Sequence, residues 1–121
     1  MDRNKFIHVL CILEGFKSIF REYHWMTKIG FIHKLIDDIM NDLIEFQDNL
    51  GEEGFIVYGE ILKGELNGIK VNTDSLIEAL ETLTIVIIKF KNQIEPDNGL
   101  IALCDDYLHT VNKSIYLAKM N

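Results

Sequence analysis

Residues 31–52 read FIHKLIDDIMNDLIEFQDNLGE, and their spacing decides how the rest of the chain is understood. Ile32, Leu35, Ile39, Leu43, Phe46 and Leu50 recur at three- and four-residue steps, the period of an amphipathic helix. At about 100° per residue, His33, Asp37, Asp48 and Glu52 fall within roughly 100° of one another on the opposite face. His33 and Asp37 are an i, i+4 pair, and so are Asp48 and Glu52. The centres of the two pairs are about 22 Å apart at a rise of about 1.5 Å per residue. One ion therefore cannot be held by both pairs of a single helix. Two copies packed antiparallel bring the pairs together and generate two equivalent centres by twofold symmetry. The mixture of imidazole and carboxylate suits Fe(II), Mn(II) or Zn(II). Taken alone, the stripe also fits a solvated acidic face, which is common on amphipathic helices.

Working outward, residues 3–28 form a first helix with Phe6, Val9, Leu10, Leu13, Phe16, Phe20 and Tyr23 as its apolar positions, and Gly30 breaks it. The second helix runs from about Phe31 to Leu50, with Gly51 and Gly54 ending it. Residues 51–72 are a long connection in which Val57 to Leu62 suggests a short helix. Thr73 or Asp74 caps a third helix that reaches about Ile94, with Glu78 in its first turn. Glu95-Pro96-Asp97-Asn98-Gly99 makes a tight turn. A fourth helix covers about Gly99 to Lys119, with Ile101, Leu103, Leu108, Val111, Ile115 and Leu117 as apolar positions. Short loop, long crossover, short loop is the connectivity of a ferritin-like four-helix bundle with one long crossover between the second and third helices. The expectation is an all-α chain forming one such domain over residues 1–121.

Composition excludes several function classes. No apolar run approaches the roughly 20 residues that cross a bilayer, so no membrane partner is expected. The first ten residues, with Asp2, Arg3, Lys5 and His8, do not read as a signal peptide. Cys11 and Cys104 stand alone, as reduced core thiols of a cytoplasmic protein would. The net charge of −7 and the lack of a basic tail disfavour direct DNA binding. An acidic surface attracts cations instead.

An iron pair inside one bundle calls for Glu-x-x-His pairs on inward faces, and the chain has none. Asp106 and His109 come nearest and read as a solvated or capping pair. Asp38, Asp42 and Glu45 flank the stripe as solvated charge or the lining of a cation path. His8 is expected among apolar neighbours, half in the core. Met26, Met40 and Met120 read as core or interface filler, and Tyr107 and Tyr116 as core or interface aromatics.

Arg21-Glu22-Tyr23-His24-Trp25, then His33-x-x-x-Asp37, then Asp48-Asn49-Leu50-Gly51-Glu52, resembles the Dps-like mini-ferritins, the family named for DNA protection during starvation. Asp37 to Asp48 is eleven positions and Asp48 to Glu52 is four, as in that family. Asp97-x-Gly99-Leu100-Ile101 and Lys113-Ser114-Ile115-Tyr116-Leu117-x-Lys119 look like its last helix, with Tyr116 where Trp is usual. His24 and His33 are nine positions apart where the family has twelve, so the loop between the first two helices is shortened. The resemblance implies a ferroxidase centre between twofold-related subunits, with metal ligands His24, His33 and Asp37 from one chain and Asp48 and Glu52 from the other. It implies oxidation of Fe(II) by peroxide or oxygen, and self-association into at least a dimer and up to a hollow dodecamer that stores iron. Trp25 would stand beside the iron, as a packing residue and an interceptor of radicals. The alternative is a structural or assembly protein that keeps the ferritin-like bundle without the oxidation chemistry.

Overall fold

The computed structural model describes residues 1–96 and 99–120. They form four helices: α1 (Arg3–Met26), α2 (Gly30–Tyr58), α3 (Leu76–Lys91) and α4 (Gly99–Lys119). No strand occurs among the described residues, and no helix there is long and apolar enough to cross a membrane. The all-helical architecture agrees with a four-helix bundle.

Local chemistry sets where each helix begins. The Asp2 carboxylate accepts from the Lys5 N–H at 2.8 Å and caps α1. Ser75, not Thr73 or Asp74, caps α3: its hydroxyl accepts from the Glu78 N–H at 3.1 Å. Glu78 reaches back to accept from the N–H of Asp74, the residue before the cap, at 2.9 Å, a variant of the capping box. α3 stops at Lys91, short of Ile94. Of the expected 95–99 turn, Asp97 and Asn98 lie outside the described residues.

The largest departure is the length of α2. Gly51 and Gly54 do not end it, and the helix continues to Tyr58. Glycine lowers helix stability by about 1 kcal/mol without forbidding the conformation. Gly54 is needed for close approach: a Cβ there would run into the buried ring of Phe6. The helix ends at Gly59, whose φ of 89° lies in the left-handed region that glycine tolerates best. No short helix forms over residues 57–62; Val57 and Tyr58 are the last residues of α2.

α1 is flanked by α2 and α3, and α4 by the same two helices, around a shared core. Phe6, Leu10, Leu13, Phe16 and Phe20 of α1 meet Ile36, Leu43 and Leu50 of α2 and Leu80, Leu83 and Ile87 of α3. Each fully buried side chain of this size contributes roughly 1.5–3 kcal/mol. Phe46 of α2 stacks on Tyr107 of α4 with ring centroids 4.1 Å apart. The buried residues of α4 are Leu100, Cys104, Tyr107, Val111, Ser114 and Ala118. Of the six apolar positions expected on α4, only Val111 is fully buried; the others flank the seam. His8 is exposed rather than half in the core.

Residues 59–75 lie along α1. The Arg3 guanidinium bonds the Glu60 carbonyl and the Glu65 carboxylate. The Ile69 N–H donates to the Cys11 carbonyl at 3.0 Å. The Tyr23 hydroxyl donates to the Thr73 carbonyl at 2.8 Å. Gly15 admits this segment, since a Cβ at that position would strike the Ile69 carbonyl. The Glu65 carboxyl is held down at about 2, chiefly by Arg3 and next by the Leu62 N–H.

Candidate metal centre

Three residues, Thr27 to Ile29, separate α1 from α2. So short a link sets the last turn of α1 beside the first turns of α2. Thr27 closes α1 with its N–H bonded to the Tyr23 carbonyl at 3.0 Å, and the His33 N–H bonds the Ile29 carbonyl at 2.9 Å. The sequence motifs His24 and His33 are thereby brought together despite the shortened spacing. Their ring centroids are 3.8 Å apart.

Asp37, one turn after His33, joins them. Ligand atoms of His24, His33 and Asp37 all lie within 4.8 Å of one another. The Nε2 of His24 is 2.7 Å from Oδ1 of Asp37, in a direction that makes no hydrogen bond. That nitrogen is out of contact with solvent and has no hydrogen-bonding partner. The nitrogen and the carboxylate oxygen stand at ion-pairing distance, and a cation held jointly by the two would satisfy both. Two imidazoles and one carboxylate with open positions is a donor set associated with Fe(II). His33 and Asp37 remain exposed, so the centre is open on one side.

Asp48 and Glu52 lie further along the same unbroken α2, both exposed. Neither joins the cluster of His24, His33 and Asp37. They stand at the edge of a groove of about 650 Å³ between α1, α2 and residues 59–75. Leu10, Phe55, Ile61 and Leu66 give it an apolar lining, with Glu14 and Lys17 on the α1 side. Buried Gln47 donates to the Glu14 carboxylate at 2.9 Å and the Leu10 carbonyl at 3.3 Å, fixing this wall. Burial pulls the Glu14 carboxyl upward, but the bonds from Lys17 and Gln47 outweigh it and leave the group below its ordinary value.

Other residues singled out in the sequence are placed differently. Trp25 is 73% exposed and does not pack within its own chain, contrary to the expectation of a packing role there. Its angular position explains this, because Trp25 lies about 140° around α1 from Phe20 in the core. Met26 and Met120 are also exposed. Asp106 and His109 are exposed. Asp42 sits between α2 and α4, its carboxyl raised by burial and then by the charges of Asp38 and Glu45. Tyr107 beside it is raised by burial, with the Asp42 charge adding. Cys11 and Cys104 are buried and free, and burial pushes the Cys104 thiol up to about 12. Comparison of the chain with family models, curated proteins and solved structures gives no match.

Proposed function

We propose that this chain is a Dps-like, ferritin-like protein that oxidises Fe(II) at a centre shared between two twofold-related copies and stores or detoxifies the product. One observation carries the reading. His24, His33 and Asp37 converge from two helices, while Asp48 and Glu52 occupy the same face of a single continuous α2. In this reading residues 59–75 are the long crossover of a ferritin-like bundle, and their bonds to α1 from Arg3 to Tyr23 support it.

Fe(II) is the substrate; Zn(II) or Mn(II) suits the same donors. His24, His33 and Asp37 of one copy hold it from one side, and Asp48 and Glu52 of the twofold mate close the other. Anionic carboxylates favour the more highly charged Fe(III), so the donor set assists loss of an electron. Each Fe(II) gives up one electron. Two Fe(II) together supply the two electrons that, with two protons, take one peroxide to two waters instead of a hydroxyl radical; dioxygen is the other candidate oxidant. Self-association as far as a dodecamer, within the cytoplasm, completes the storage function.

The test is oxidation of Fe(II) by the purified protein with peroxide, followed by the absorbance of the ferric product. His33→Ala and Asp48→Ala are each expected to slow it by at least about tenfold, the scale seen when metal-site support is removed. Variants that keep pace with the parent would sink the reading. The openness of Asp48 and Glu52 favours a second reading, a ferritin-like assembly protein without oxidation chemistry. Absence of bound metal after purification, together with no thermal stabilisation by Fe(II), Zn(II) or Mn(II), selects that second reading.

A further inference from the structure

We infer that the groove between α1, α2 and residues 59–75 is a binding site for an amphiphilic amine, an apolar molecule that carries a protonated nitrogen. The site lies within one chain, so the inference goes beyond the shared centre of the proposed function. Because it uses Asp48 and Glu52, the amine competes with a second copy wherever that centre forms.

Size and lining point to a small molecule. At about 650 Å³ the groove falls in the range of small-molecule sites, which combine an apolar lining with a few convergent polar groups. Leu10, Phe55, Ile61 and Leu66 supply the apolar lining, and Phe55 and Leu66 are 58% and 42% exposed. Gly51 lines the groove as well, and a Cβ at that position would meet nothing within 4 Å. Part of the α2 wall is therefore bare backbone with open space in front of it.

The polar side chains select the kind of molecule. Gln47 is 7% exposed, and its amide nitrogen donates to the Glu14 carboxylate at 2.9 Å and the Leu10 carbonyl at 3.3 Å. A carboxylate and a carbonyl only accept, so the amide cannot be turned the other way. Its Oε1 is left with no donor among the described residues, in a side chain that lines the groove. Lys17 is the single cation of the lining, and Glu14 already holds it at 2.6 Å. Asp48 and Glu52 have no ion-pair partner among the described residues. No lysine or arginine occurs between Lys34 and Lys63, so α2 brings only negative charge to this wall.

Every open polar side chain of the groove is thus an acceptor. Like charges one turn apart on a helix repel, and an ammonium beside Asp48 and Glu52 relieves that repulsion. Its N–H groups supply the donors that the carboxylates and Gln47 lack, as charge-assisted hydrogen bonds. The apolar body of the same molecule covers Phe55 and Leu66, which the chain leaves in water. An anion would set acceptors against acceptors and is disfavoured.

Octylamine is the probe, titrated by calorimetry into dilute, metal-free protein near neutral pH. Octanol and octanoate carry a comparable tail with a neutral and an anionic head. Octylamine is expected to saturate one site per chain and to bind at least about tenfold more tightly than octanol, the scale of one hydrogen bond to a charged group, with octanoate weaker than both. Gly51→Leu puts a side chain into the open space and should weaken octylamine binding by at least about tenfold. The same change removes a glycine from a helix, so its urea midpoint should rise rather than fall; circular dichroism checks the fold. The double variant Asp48→Asn, Glu52→Gln should bring octylamine down to the affinity of octanol and leave octanol binding as it was. No saturable binding of octylamine, octanol or octanoate bound as tightly as the amine, a folded Gly51→Leu that binds like the parent, or a double variant that keeps the preference would each overturn the inference. A chain that binds octylamine but leaves Fe(II) unoxidised overturns the proposed function and upholds this site. One that oxidises Fe(II) and does not bind octylamine does the reverse.

Discussion

His33 and Asp37 meet a donor from another helix, His24, within one chain, while Asp48 and Glu52, on the same α2, stand open at the edge of a groove. The first end is made by local chain geometry: three residues of loop leave the two helix ends nowhere to go but alongside each other. The second end is made by long-range packing, through Gly54 against Phe6 and residues 59–75 against α1. A donor set assembled by a short hairpin forms with its own chain. Asp48 and Glu52 belong to no group of three donor side chains among the described residues.

The largest expected effect breaks the second end alone. Gly54→Val should force the Phe6 ring out of its packing and cost about 1–3 kcal/mol, the range for overfilling a dense core; thermal or urea unfolding measures it. The start of α2 is remote from this contact, so Zn(II) binding by the folded, dilute variant should match the parent. A matched loss of binding would show that the two ends are not independent.

Next comes the division of ligands. In dilute protein, His33→Ala should weaken Zn(II) binding by at least about tenfold, whereas Asp48→Ala should leave it unchanged. At concentrations where copies associate, both should weaken it. Calorimetric titration at the two concentrations reads the difference. Equal effects of the two substitutions in the dilute chain would erase the distinction.

Gln47→Ala removes two hydrogen bonds that fix the wall of the groove and should lower stability by about 1 kcal/mol, read by urea unfolding. The smallest effect concerns the segment over α1. Glu65 is held at about 2 against an ordinary 4.5, so its folded form resists the proton more than its unfolded form does. The stabilisation from Arg3 and Glu65 is therefore fully present above about pH 4.5 and disappears as pH falls toward about 2. Protease nicking between residues 59 and 75, assayed with an acid-tolerant protease, should rise over that window, and Glu65→Gln should flatten the rise.

Much of this was readable in advance, for reasons that differ from residue to residue. α1 and the first two-thirds of α2 declare themselves because large apolar residues recur at the helical period there, and their buried positions match it. On α4 the seam runs through Cys104, Ser114 and Ala118, which carry little hydrophobic signal, and the larger Leu103, Leu108 and Leu117 beside it draw the eye away. The glycines at 51 and 54 look like punctuation because composition cannot distinguish a helix stop from a close contact. At Gly54 that distinction depends on Phe6, a residue some fifty positions away, and only the packed core reveals it, whereas nothing lies close to Gly51 and the helix simply runs through it.

The sequence by itself determined the helical periods, the spacing of His33, Asp37, Asp48 and Glu52 along one face, and the acidic balance of the chain, because each is a property of near neighbours or of composition. The tertiary structure decided that His24 reaches His33 and Asp37 across a three-residue link, that α2 runs on to Tyr58, and that Trp25 faces outward. Each of those outcomes depends on how separate helices pack in space, which no pattern along a single strand of residues contains.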